Sequence, residues 1–213
     1  HDEAKARPRL KAEDHWILRV LASTVRSVTR NLRTERIGDA AKDIYDFTWR
    51  EFCDWYLEMA KPRLYAGAGS PDAPAVRYVT HTVFGTVFRL LHPFMPFLTE
   101  ELWHVLPGTE GDVIAAEWPA PARGASQPDA EAKIALLKEV VGAIRNLRGE
   151  MNIAPARKAR LLVRTAGPEA EILRAQRDLI LLLGRGETLE AGPDVAKPRV
   201  AASVDQRVHH IEV

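Results

Sequence analysis

Apolar positions recur at steps of three and four along most of the chain and alternate with polar ones only near its end. The first spacing marks one face of a helix, the second a half-buried strand. Leu18, Leu21, Val25, Val28 and Leu32 form the first stripe, on a helix that begins near Glu13 and closes near Gly38. The densest run is Asp39 to Tyr65. There Ala41, Ile44, Tyr45, Thr48, Phe52, Trp55, Tyr56 and Met59 share one face, and Trp49, Cys53, Leu57 and Ala60 fill a second. A helix apolar on more than one side touches several partners, so this stretch is read as the inner member of a bundle. Asp39 suits its N-cap, and Pro62 is expected to bend or end it.

Val76, Val79, Val83, Val87, Leu90 and Phe94 line a third helix, in which Gly85 is expected to mark the close approach of a neighbouring helix. A short fourth helix starts near Pro96 or Thr99, with Glu100 and Glu101 in its first turn, where the positive helix end favours them. Pro107 to Pro128 reads as a long crossover, with Trp118 tucked against the bundle. Beyond it, Ile134, Leu137, Val141, Ile144 and Leu147 make another helical face, which ends between Gly149 and Pro155. Lys158 to Arg164 alternates as a strand, Pro168 to Leu183 reads as a helix and Thr188 to Ala191 as a short strand. Arg199 to Asp205 and Arg207 to Val213 are expected to form a final hairpin. The fold class is therefore mainly α, a helical bundle over residues 12–128 followed by a small α+β subdomain over 129–213, with residues 1–11 as a flexible leader.

Composition changes this picture little. No apolar run approaches the roughly 18–20 residues of a membrane span, and His1 to Lys11 is charged rather than signal-like, so a soluble cytoplasmic protein is expected. A single cysteine, Cys53, leaves no internal disulfide and is read as a small buried core residue. Charge is more informative. From Lys133 to Arg164 eight Lys or Arg stand against two acids, a surplus of six, and from Arg19 to Arg36 five arginines stand against one acid, a surplus of four. Arg19, Arg26, Arg30, Arg33 and Arg36 fall in one stripe away from the apolar face; Lys138, Arg145 and Arg148 share a face of the later helix. Two readings are open: a solvated helix face, or a ridge that holds phosphates with planar guanidinium forks.

Catalytic signatures are missing from the sequence. It has no GxxxxGK or GxGxxG phosphate loop, no HExxH, CxxC or GxSxG, and His209–His210 is not followed by the residues of a HIGH element. His81 and His92 lack partners at metal spacing and are read as core or capping residues. No catalytic residue and no metal ligand is assigned.

Three strings carry a resemblance: EFCDWYLEMAKPRL from Glu51 to Leu64, LLHPFMPFLTEELW from Leu90 to Trp103, and IRNLRGEMNIAP from Ile144 to Pro155. In this order they resemble the anticodon-binding region of bacterial valyl-tRNA synthetases, from about Glu13 to about Arg164. The middle string also resembles isoleucyl and leucyl enzymes, whose anticodon-binding domain is the alternative within the family; a helical protein-interaction module is the alternative outside it. The resemblance implies a non-catalytic, monomeric segment that grips tRNA(Val) by its anticodon stem and loop. ATP with Mg would then serve a catalytic domain of the parent chain, beside an editing domain, neither of which lies in these residues. Under it, Arg26, Arg30, Arg33, Lys61 and Arg63 are candidate tRNA contacts in the bundle, and Arg145, Arg148 and Asn152 in the second unit. The element around Arg148 and Asn152 equally fits a stitch between helix and strand. Trp49, Trp55 and Tyr56 fit either base stacking or the core.

Overall fold

The computed structural model describes residues 10–66, 70–121, 128–195, 202–204 and 208–212. The chain divides into two compact units, His1–Gln127 and Pro128–Val213. All but the last two residues of the expected leader lie outside the described residues. Among the described residues no helix is long and apolar enough to cross a membrane.

In the first unit, helix α1 (Ala12–Arg33) buries Ile17, Leu21, Val25 and Val28, while Leu18 and Leu32 are only half-buried. It closes earlier than the sequence implies. The amides of Glu35 and Arg36 donate to the carbonyls of Leu32 and Asn31 at 3.2 and 2.8 Å, the paired bonds of a Schellman turn, with Glu35 in the left-handed region at φ 59°. Gly38 and Asp39 therefore lie inside the first turn of α2 (Ile37–Asp46), whose N-cap is Arg36, not Asp39.

Helix α2 continues into a π-helical stretch, Phe47–Leu57, and then α3 (Glu58–Tyr65). This central helix is longer than expected, because Pro62 does not end it; the Ala66 amide still donates to the Pro62 carbonyl at 3.1 Å. The π stretch rotates the apolar face. At α-helical spacing Glu51 would follow Phe47 inward, but a turn closed by i→i+5 bonds brings Phe52 there. Phe47, Phe52 and Tyr56 then stack in series, with ring centroids 6.5 and 5.7 Å apart. Tyr45 and Trp49, assigned inward by an α period, face solvent, and Trp55 and Cys53 are half-buried. Partial burial raises the Cys53 thiol pKa.

A polar clasp joins the two ends of this packing. Asp14, in the first turn of α1, is fully buried and accepts the Lys11 amide at 2.9 Å, the Tyr56 hydroxyl at 2.9 Å and both terminal nitrogens of Arg63 at 2.7 and 2.8 Å. Glu13 reaches the same guanidinium at 3.0 Å. Burial alone would lower the Arg63 pKa, but the hydrogen bonds and charge of Asp14 outweigh it and hold it above its ordinary value. Burial first, then the Asp14 charge, pushes the Tyr56 phenol far up. At 7% exposure Arg63 is a core residue, which removes it from the candidate tRNA contacts.

Helix α4 (Ala73–Leu91) lays Val76, Val79, Val83 and Leu90 against this core, and Phe84 meets Phe52 edge-on at 5.3 Å. A Cβ on Gly85 would meet only Leu106, at an ordinary 3.6 Å, so the expected close helix approach is absent there. Helix α5 (Pro96–Val105) begins at Pro96, which places Glu100 and Glu101 past its first turn. Glu100 instead accepts the amide of Val113, at 3.0 Å, from the 3₁₀ turn Val113–Ala115. His92 Nδ1 pairs with Thr99 Oγ1 at 2.8 Å and His81 Nε2 with the Pro107 carbonyl at 2.7 Å, both capping roles. Trp118 donates its indole N–H to Thr29 of α1 at 2.9 Å, so the crossover is pinned where the sequence placed it.

The second unit opens with α6 (Pro128–Glu150), which buries Ile134, Leu137, Val141, Ile144 and Leu147. Its end repeats the α1 device: the amides of Asn152 and Ile153 donate to Gly149 and Arg148 at 3.1 and 2.9 Å, with Asn152 at φ 51°. Arg148, 7% exposed, then donates to the carbonyls of Ala154 and Arg157 at 3.2 and 2.6 Å. Of the two readings of this element, the stitch from helix to strand is the one the structure has, and Arg148 leaves the exposed basic face expected of it.

Strand β1 (Ala159–Thr165) follows, with Leu161, Val163 and Thr165 inward. The single helix expected next is two, α7 (Pro168–Ala175) and α8 (Arg177–Gly184), broken where Gln176 leaves helical geometry at φ −102°, ψ 16°. They return the chain to β2 (Gly186–Gly192), parallel to β1. A Cβ on Gly186 would lie 2.6 Å from Leu161 and 2.7 Å from Leu181, so glycine alone fits where β2 enters. Strands β3 (Ala202–Val204) and β4 (Val208–Glu212) pair as the expected hairpin, and β4 joins β1 antiparallel, giving the order β2-β1-β4-β3.

Three substitutions around the buried arginines test these contacts. Asp14→Ala, which leaves Arg63 buried without its carboxylate, is expected to cost about 3–5 kcal/mol in urea unfolding, whereas Glu13→Gln costs under about 1 kcal/mol. Burial raises the Glu13 carboxyl pKa, so the folded state holds that proton more tightly than the unfolded chain. The Glu13 contribution to stability therefore falls as pH rises from its ordinary value through the raised one, and Glu13→Gln removes that slope. In the second unit, Arg148→Ala loses two charge-assisted hydrogen bonds to carbonyls and is expected to cost about 2 kcal/mol in the same measurement.

Candidate nucleic-acid interface

Because Ile17, Leu21, Val25 and Val28 fix which side of α1 faces the core, the opposite side is fixed too, and it carries Arg19, Arg26, Arg30 and Arg33, all exposed. Steps of four and three place Arg26, Arg30 and Arg33 as neighbours over roughly 10 Å of helix. Neither Arg26 nor Arg33 forms an ion pair with a described residue. Arg30 donates at 3.4 Å to Ser27, whose hydroxyl is committed to Asp43 at 2.7 Å. Arg36, expected in the same stripe, lies beyond the end of α1. It donates to Asn31 at 2.6 Å and pairs with Asp39 at 3.8 Å, bracing the turn into α2.

The brace and the ridge lie side by side. Asp43 accepts from both Ser27 and Asn31, the latter at 2.9 Å, locking α2 against α1 beneath the arginines. A groove of about 390 Å³ between α1 and the central helix is lined by Ser23, Thr24, Ser27, Asp43, Asp46 and Arg50. Its carboxylates would repel phosphate, whereas the exposed guanidinium groups of the ridge would attract it. A guanidinium fork presents two parallel N–H donors that match phosphate oxygens, and three such forks on one helix have the chemistry to contact a backbone without reading its sequence.

The remaining candidates separate. Lys61 is exposed on α3 and ion-paired with Glu58 of the same helix. Arg145 is exposed in the second unit, where its Nε donates to the Leu183 carbonyl at 3.4 Å. Asn152 is exposed, but its left-handed backbone is the helix cap described above. Arg63 and Arg148 are internal. Of the aromatic candidates, Tyr56 is buried and Trp55 half-buried, whereas Trp49 is exposed and its ring centroid lies 6.4 Å from that of Tyr45.

The sequence reading missed the Ser27–Asp43–Asn31 brace and a second polar trio. His104 Nε2 lies 3.3 Å from Glu100 and 3.5 Å from Asp112. The trio faces solvent, and since Glu100 also holds the Val113 amide, it fastens the 3₁₀ turn to α5. The step from Glu100 to His104 was visible in the sequence as an i, i+4 pair; Asp112, across a turn, was not.

The chain resembles proteins of known name along nearly all of its length. A valine–tRNA ligase of Geobacter sulfurreducens is 39% identical over 196 residues, covering 91% of this chain and 22% of that protein. One from Carboxydothermus hydrogenoformans is 41% identical over 157 residues, covering 74% of this chain and 18% of that protein. One from Aquifex aeolicus is 34% identical over 217 residues, covering 95% of this chain and 19% of that protein. The chain thus spans about a fifth of the length of the curated relatives it matches. The family model described as the anticodon-binding domain of tRNA ligase matches residues 14–163, a span that opens at the buried carboxylate of the clasp and ends in β1. That match takes in well over half of the sequence, and the chain belongs to the family of anticodon-binding domains of tRNA ligases.

Proposed function

We propose that this chain is the anticodon-binding segment of a valine–tRNA ligase and holds tRNA(Val) by its anticodon stem and loop. The observation that carries the reading is the alignment to valine–tRNA ligases at 34–41% identity over most of the chain. The exposed arginines of α1 supply the matching chemistry. Arg26, Arg30 and Arg33 grip backbone phosphates, and Lys61, Arg145 and Asn152 add contacts from other elements. Bases of a loop are read by stacking and by hydrogen bonds at their edges, so these side chains position the loop and do not by themselves select valine.

In this reading the parent protein works in the cytoplasm as a monomer. Its catalytic domain, outside this chain, uses ATP with Mg to activate valine and transfers it to tRNA, and an editing domain corrects mischarging. The residues present here supply binding energy and orientation, which a remote reaction uses to place the tRNA 3′ end.

The test is charge reversal of the ridge. Arg30→Glu with Arg33→Glu is expected to weaken tRNA(Val) binding at least tenfold at low salt and to reduce the slope of log affinity against log salt by about two. Unchanged affinity and slope would take the ridge out of the binding site.

A further inference from the structure

The central helix has a third face that the described residues of the first unit leave exposed at Ile37, Tyr45 and Trp49. Ile37, Ala41, Tyr45 and Trp49 follow one another at steps of four, over about 18 Å of helix. Ile37, Tyr45 and Trp49 are 52%, 57% and 55% exposed. The Tyr45 and Trp49 rings tilt against each other at 51°, with their centroids 6.4 Å apart. The opposite side of the same helix is spent on the bundle core through Ile44, Phe52 and Tyr56. We infer that the exposed row is the seat of an amphipathic helix supplied by the part of the parent chain outside these 213 residues, packed lengthwise along Ile37, Ala41, Tyr45 and Trp49.

The inference rests on the proposed function, because it requires a longer parent, and the matched relatives are about five times as long as the segment they share with this chain. Geometry selects the occupant. A row of side chains at i, i+4, i+8 and i+12 is the ridge that interdigitates with the groove of a second helix. A base-stacking platform needs one or two aromatic faces with unneutralised cations beside them. Here Ile37 and Ala41 extend the row beyond any ring, and the flanking Lys42 and Arg50 are both paired with Asp46. Tyr45 and Trp49 lie outside because Ala40, Ile44, Phe47 and Phe52 turn the other side of the helix to the core.

The test is hydroxyl-radical footprinting of this chain and of the parent protein, read residue by residue, with a Trp49→Lys variant of each. In this chain Tyr45 and Trp49 are expected to label as fast as the exposed Tyr65; in the parent without tRNA they are expected to be protected at least fivefold. Trp49→Lys should leave the melting midpoint of this chain within about 1 °C and lower that of the parent by several degrees. Labelling equally fast in both proteins overturns the inference. So does protection that appears only on adding tRNA, which makes the ridge an RNA platform, or protection of this chain that disappears on dilution, which makes the occupant a second copy. Charging of tRNA by the parent is measured separately: its absence defeats the synthetase reading and leaves the footprint to decide the docking.

Discussion

The first unit depends on one buried carboxylate. Asp14 sits in the first turn of α1, and its two oxygens collect a backbone amide, a phenol and both arms of a guanidinium that lies 49 residues further along the chain. An isolated carboxylate in that position would be strongly disfavoured; with four donors it becomes a specific lock. Tyr56, at the end of the π stretch, and Arg63, in α3, reach it from one side of the central helix because they are seven residues apart, two turns. The lock therefore fixes the rotation of α1 and of the central helix together.

That rotation decides which arginines are available. With Asp14 and Ile17 inward, Arg26, Arg30 and Arg33 must point outward, held on a helix whose far end is braced by Asp43. The candidate arginines divide by burial. Arg63 and Arg148 are internal and satisfy buried oxygens, Arg36 braces a turn, and the α1 set remains exposed. The same residue type thus builds the scaffold and decorates it, and burial separates the two uses.

Much of this was legible in the residues. Periodicity gave every helix of the bundle, alternation gave β1, and the order helix, strand, helix, strand, hairpin described the second unit. What it missed has physical causes. A hydrophobic stripe counted at α spacing cannot register the π turn between Phe47 and Phe52, and a stripe drawn through the large side chains of Tyr45 and Trp49 passes over Phe47. Nothing local to KPRL shows that Arg63 will meet an acid near the other end of the unit, since that pairing is tertiary. Helix ends were misjudged for a related reason. Glu35 and Asn152 occupy left-handed caps where glycine is the usual signal, and the available Gly38 drew the boundary too far along. For the candidate interface, the cluster on α1 could be read from spacing alone, whereas the sorting of Arg63 and Arg148 away from it needed burial.

The central claim is the proposal that this segment holds tRNA(Val) by its anticodon stem and loop and does more than attract polyanions. Its most direct test is the affinity of the chain for an anticodon stem-loop with a valine anticodon against one with an isoleucine anticodon, each at two salt concentrations. The account predicts that the valine loop binds more tightly at both, with salt weakening each complex and preserving their order. Equal affinities that fall with the same steep salt dependence would contradict it and reduce the arginine ridge to a general polyanion surface.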